Sequence, residues 1–244
     1  MIATLLLIAA LQSDLGGLQT LTRVDDRACT GDGGWCVALV GGEQDGEPVV
    51  RPVLRRADDA TAIAKPENSA VESFQPWTHL IRLSNGGALA GVQVETRSMY
   101  SGGGGQATEL RLYRLDARGD AASTPVLSVP IQGSLMIRAC FSEEDMTQRA
   151  GACHDEYGFE GVLTVEAEAS EALPVLTYAT TATAYPRGAS RSEDSLEKPP
   201  LKPADLITVR DPKCSFTRRF TFDAAAGEYR PDRKMPDCSD YTTP

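Results

Sequence analysis

Six cysteines, two histidines and one acidic cluster are the residues of this chain whose types and spacing could do chemistry. The cysteines, Cys29, Cys36, Cys140, Cys153, Cys214 and Cys238, fall into three local pairs with six, twelve and 23 residues between partners. Structural zinc sites usually open with cysteines only about two to four residues apart, and none of these spacings fits. A redox CxxC motif is also absent. Disulfides are the remaining chemistry. Each pair brackets a loop between strand-like runs, so the expected bridges are Cys29–Cys36, Cys140–Cys153 and Cys214–Cys238. Closing the three loops removes chain entropy worth roughly 2.5, 3 and 3.5 kcal/mol in order of length.

His79 and His154 are the two histidines. His79 falls on the apolar face of WTHLIRL with Trp77, Ile81 and Leu83, and reads as a structural residue. His154 follows Cys153 directly, and neighbours on an extended chain point to opposite faces. The pair is therefore badly placed as base and nucleophile, and an oxidised Cys153 has no thiolate to offer. No G-x-S-x-G elbow is present. Glu143, Glu144 and Asp145 on one side of the Cys140–Cys153 closure, with Asp155 and Glu156 on the other, form a cation-binding candidate. The competing reading places the first three in the opening turn of a short helix, where the dipole favours acids. No catalytic residue and no cofactor are expected.

The compartment follows from the two ends of this argument. Ile2 to Leu11 is apolar, too short to span a bilayer and suited to a secretory signal core. Residues 1–20 are read as a signal peptide, although no Lys or Arg precedes the apolar run and the small-residue cleavage signal is poor. Cleavage is placed between residues 12 and 20, and a buried N-terminal strand is the competing reading. No transmembrane segment is expected after signal removal. Together with paired cysteines, this gives a periplasmic or extracellular protein. A formal charge of −10, from 34 acidic and 24 basic side chains, repels phosphate backbones and argues against nucleic-acid binding.

The elements that must position these residues are strands. Period-2 alternation recurs along the chain: in YGFEGVLTVEAE, Tyr157, Phe159, Leu163 and Val165 share one face, with Val162 out of place on the other. WCVALVG, EPVVRPVLRR, ALAGVQVET, TELRLYRL, TPVLSVPI, SLMIRACF, PVLTYATTATAY and CSFTRRFTFD add further candidates, about ten strands in all. SGGGGQ, residues 101–106, is expected as a flexible turn, and SEEDMTQRAG as a short helix capped by Ser142 and Asp145. The expected fold is mainly β, an antiparallel sandwich or barrel-like pair of sheets braced by disulfides at sheet edges. Residues 21–244 are read as one domain with a mobile loop at 186–203, the alternative being a split near 116–124.

Arg218, Arg219, Arg230, Arg233 and Lys234 form a basic patch near the C-terminus, read as paired with the acidic surface or as a docking face. The leading expectation for function is an exported, non-catalytic domain that binds a protein, an envelope component or a small ligand. A hydrolase using carboxylates alone is the second reading, since glycosidases need only two acids. An inhibitor presenting the 29–36 or 186–203 loop is the third. Two facing carboxylates in a cleft would favour the hydrolase, and a protruding loop the inhibitor.

Overall fold

The computed structural model describes residues 17–44, 46–59, 64–166, 173–193 and 198–244, so residues 1–16 of the expected signal segment lie outside the described residues. The chain opens with β1 (Leu18–Thr20), β2 (Thr22–Val24), β3 (Arg27–Cys29), β4 (Trp35–Gln44) and β5 (Glu47–Arg56). Four long strands follow: β6 (Glu72–Arg82), β7 (Ala88–Tyr100), β8 (Gly103–Leu115) and β9 (Leu127–Arg138). Then come α1 (Glu143–Gln148), β10 (His154–Val165) and β11 (Leu176–Tyr185). The C-terminal part holds β12 (Val209–Arg210), β13 (Thr217–Asp223), β14 (Glu228–Pro231) and α2 (Ser239–Thr242).

All pairings are antiparallel. One sheet of ten strands runs β1-β6-β7-β8-β9-β10-β11-β13-β14, with β12 also on β11, and a second runs β2-β3-β4-β5. The mainly-β, two-sheet, disulfide-braced fold expected from the sequence is therefore the one adopted. None of the described helices is long and apolar enough to cross a membrane.

The large sheet folds back on itself at β9. Thr108 pairs with Gln132 but Glu109 pairs with Pro130, which leaves Ile131 as an extra residue, a β-bulge. A bulge reverses which side chains point to which face. Leu127 and Val129 thus lie on one face with Leu110 and Leu112, while Gly133 and Leu135 lie on the other. Beyond the bulge β9 pairs with β10 only through Gln132–Arg138. The upper part of β10 is free to swing away, and the β10–β14 half closes over the β6–β9 half. The main core fills this space, with Trp77, Ile81, Leu89 and Leu112 from one half and Leu163, Tyr178, Phe220 and Tyr229 from the other. The Tyr229 N–H donates to the Val126 carbonyl at 2.7 Å, which joins β14 to the chain entering β9.

Two smaller cores use the opposite face. The four-stranded sheet packs Val37, Leu39 and Leu54 against Leu80, Ala90, Val92 and Tyr113. At the far end Tyr241 of α2 covers Leu135, Tyr157, Phe159 and Ala182. Its hydroxyl donates to Asp211 at 2.9 Å. The sequence reading had no α2.

Three further expectations need correction. TPVLSVPI and SLMIRACF are one continuous strand, because Ile131 bulges and Gly133 packs instead of turning. SGGGGQ is not a flexible turn: only Ser101 and Gly102 turn, and Gly103 to Gly105 run inside β8. A Cβ on Gly103 would stand 2.0 Å from the Met136 carbonyl, and one on Gly105 2.9 Å from the Leu135 side chain. Close strand approach, not mobility, is why those residues are glycine. Finally, the bridges Cys29–Cys36, Cys140–Cys153 and Cys214–Cys238 join the expected partners but are not peripheral braces. Cys29, Cys36, Cys140 and Cys214 are buried, and Cys214 belongs to the α2 core.

Gly133 tests the docking of α2. A Cβ there would lie 2.0 Å from the Tyr241 carbonyl oxygen, backbone that cannot swing aside. Gly133→Ala should cost about 2 kcal/mol or more in urea unfolding, in the range of overpacked cores. Exchange of the Tyr241 and Thr243 amides, which bond to Cys238 and Ser239 carbonyls, should accelerate with it. Unchanged stability and protection would contradict this packing.

Candidate functional site

The acidic cluster does not converge. Asp145 is the N3 residue of α1 and accepts from the Phe141 and Ser142 amides at 2.7 and 3.0 Å, while the Ser142 hydroxyl accepts from the Asp145 amide. Asp155 is buried against Arg149, whose Nε–H donates to the Ala152 carbonyl at 2.8 Å. Glu143 and Glu144 are exposed on α1, and Glu156 stands on the outer face of β10. Each carboxylate is thus taken by the helix start, an ion pair or solvent. Among the described residues no three His, Cys, Asp or Glu side chains are grouped to hold a metal ion.

His79 lies in an irregular stretch of β6 with its ring 5.0 Å from that of Trp77. Its Nδ1 is buried without a hydrogen-bond partner, and burial holds its pKa below the usual imidazole value. His154 is exposed at the start of β10. The two histidines sit on strands at different places in the sheet order and share no partner. In the basic patch, Arg219 grips Glu166 through Nε at 2.9 Å and Nη2 at 2.8 Å. Arg230 meets Asp223 at 3.2 Å, and Arg233 meets Asp232 at 3.6 Å. Arg218 lies over the Phe216 ring at 4.7 Å. Arg219, Arg230 and Arg233 are thus paired locally, whereas Arg218 donates through Nη1 and Nη2 to the Thr217 and Lys234 carbonyls and its buried Nε has no partner.

The site the sequence reading missed is on the solvent face below the bulge. Antiparallel partners share a face, so the register lines up side chains across five strands. One row is Met99, Gly104, Met136, Glu156 and Tyr185; the next is Arg97, Gln106, Ser134, Gly158 and Thr183. Over the β9–β11 part of these rows lies an open groove of about 510 Å³. Met136 and Tyr185 form its walls, Gly158 its floor, and Ser134, Thr183 and Thr208 its hydroxyls. A Cβ on Gly158 would meet the Thr183 hydroxyl at 2.8 Å, so any larger residue there would have to displace that hydroxyl. Glu156 is the one charged residue of the lining. Separate strand patterns do not reveal this arrangement, because it depends on lateral register.

Two other features do not compete with it. The Arg149–Asp155 pair borders a cavity of about 20 Å³, room for a single water. A second open hollow, of about 500 Å³ and lined by Asn85, Arg114, Asp116, Arg118 and Asp120 among others, holds two arginines and has Asp116 turned onto the Arg118 and Asp120 amides. Among the described residues, Asp26, Asp32, Asp116, Glu166 and Asp237 are the carboxyl groups displaced from their usual pKa, and all are held low, chiefly by hydrogen bonds from Lys65, Thr30, Asp120, Arg219 and Ser239 respectively. A general acid needs the opposite displacement.

Comparison with protein-family models, with curated proteins and with solved structures finds no match to this chain.

The His79 environment gives a pH test. Its folded-state pKa lies below the unfolded value, so below about pH 6.5 the unfolded chain binds the extra proton. Stability should therefore be unaffected by His79 above neutrality and fall as the pH drops through the unfolded pKa. His79→Gln should flatten the loss of urea stability between pH 7 and pH 5. An identical pH profile in the variant would refute the assignment.

Proposed function

We propose that this protein is an extracytoplasmic, non-catalytic β-domain that binds a small ligand carrying a positive charge in the β9–β11 groove. The observation that carries the reading is the composition of the groove. An aromatic wall, a thioether wall, three hydroxyls and a single carboxylate without a lining cation favour an organic cation over an anion. The net charge of −10 draws cations to the surface in the same sense. Three disulfides, with none of the cysteines free among the described residues, support an oxidising compartment outside the cytoplasm.

The hydrolase reading loses support on geometry. The groove has one carboxylate, and the next acid on that face of β10, Glu160, is four residues along, roughly 13 Å by strand rise. Paired glycosidase acids stand no more than about 9.5 Å apart. The inhibitor reading weakens for only one of its two loops. The tip of the 29–36 loop, Gly31 to Gly33, is exposed and braced by the Thr30 hydroxyl and the Gly34 amide, both donating to Asp32, so it still suits that reading. In the 186–203 segment, the Lys198 carbonyl accepts from Gln148, and Arg191 donates to the Thr243 carbonyl at 2.7 Å.

Thermal-shift measurements with panels of organic amines, neutral sugars and organic anions test the reading. A ligand at a hundred times its Kd adds about 2.7 kcal/mol to stability. At least one organic amine should raise the Tm of the wild-type protein, with the shift lost in Glu156→Gln and Tyr185→Ala. Stabilisation by anions alone, or shifts that survive both substitutions, would contradict it.

A further inference from the structure

Methionine in a folded domain ordinarily fills gaps in a core, as Met235 does beside the main core here. Met99 does the reverse. It is 87% exposed near the end of β7, on a face where a strand normally carries polar residues, and Met136 on β9 is 46% exposed. One exposed apolar side chain needs no explanation. These two face the same space. Met99 pairs with Gly104 and Gly104 pairs with Met136, so the two thioethers flank the one position in that row without a side chain. The Met99 sulfur already leans over it, 2.8 Å from where a Gly104 Cβ would stand. Met136 starts one strand spacing away on the other side, about 4.8 Å, within reach of the same point.

Thioethers are soft, uncharged donors that do not titrate, and they select d10 monovalent ions over hard cations. A disulfide-bonded protein has no thiolate to offer such an ion, and none of the described cysteines is free. Glu156, paired with Met136 on its other side, supplies the negative charge that two neutral sulfurs lack. The two cations nearest the methionines on this face are occupied: Arg97 donates to Glu95 at 2.5 Å, and Arg138 donates to the Cys140 carbonyl at 2.6 Å and lies over the Phe141 ring. The exposed Arg210 stands farther along the sheet, on β12 beside Thr183.

We infer that Met99 and Met136 form a two-sulfur binding site for a soft monovalent cation, Cu(I) or Ag(I), above Gly104. The ion sits between the strands in the linear geometry that d10 ions accept, with the Glu156 carboxylate as its counter-charge. The site does not depend on an organic ligand in the adjoining groove.

Titration of the disulfide-intact protein with Ag(I) in chloride-free buffer, read by native mass spectrometry, tests the inference. One ion should be retained per chain. Met99→Leu and Met136→Leu, exposed substitutions of similar volume, should each weaken retention at least tenfold, while Met146→Leu and Tyr185→Ala should not. In the unmutated protein carrying 13C-labelled methionine methyls, Ag(I) should shift the Met99 and Met136 resonances and leave Met235 in place. Absence of a retained ion, retention unchanged in the Met99→Leu/Met136→Leu variant, or shifts at other methionines instead would overturn the site.

Discussion

The hydrogen bond from the buried Tyr178 hydroxyl to the Pro130 carbonyl holds the corner on which the rest of the molecule depends. Pro130 has no N–H to give to a neighbouring strand, and Ile131 after it has no partner on β8. The ladder would otherwise lose both donor and acceptor there. Tyr178 reaches across from β11 to satisfy the carbonyl, and Gly161 on β10 makes space for it. A Cβ at Gly161 would stand 2.6 Å from the Pro130 oxygen and 2.8 Å from the Tyr178 hydroxyl. Burial of that hydroxyl pushes its pKa far above the usual phenol value, so the bond keeps its proton across the physiological range. One contact among three strands thus fixes the place where the sheet parts and folds over its own core.

Both the interior and the groove-bearing solvent face follow from this corner. Above it, the face shared by Leu110, Leu112 and Val129 is the main core. Below it, the same face carries Gln106, Ser134 and Glu156 and meets solvent. The core has moved to the opposite side, under α2 and the Cys214–Cys238 bridge. A continuous sheet is therefore lined by side chains that pack on one stretch and face solvent on the next. The disulfides hold the segments that cover its ends: the first joins β3 to β4, the second closes the α1 loop and the third ties the C-terminal return to the core.

Much of this was legible in the sequence because it is local. Period-2 alternation marks β10 and β11 residue by residue, Val162 is exposed where the pattern breaks, and cysteine spacing yields the three bridges. The corner was not legible, for a physical reason. Burial in β9 falls on residues 127, 129, 133 and 135 with no change of phase, yet the bulge turns the last two to the other face. A pattern of burial without a change in parity conceals a change of side. The glycine run in β8 reads as flexibility until its neighbours are known, and the groove and the Met99–Met136 pair exist only in lateral register. Sequence gives each strand its faces, but not what lies beside it.

Deletion of Ile131 tests the central claim most directly. Removing the extra residue restores regular alternation and, given the period of two, swaps the faces of every residue on one side of the corner. Leu135 would turn to solvent and Gln132, Ser134 and Met136 into the α2 core. The account predicts loss of cooperative urea unfolding and of amide protection in β9 and β10. A deletion variant that unfolds cooperatively with wild-type stability would show that the sheet does not depend on this corner.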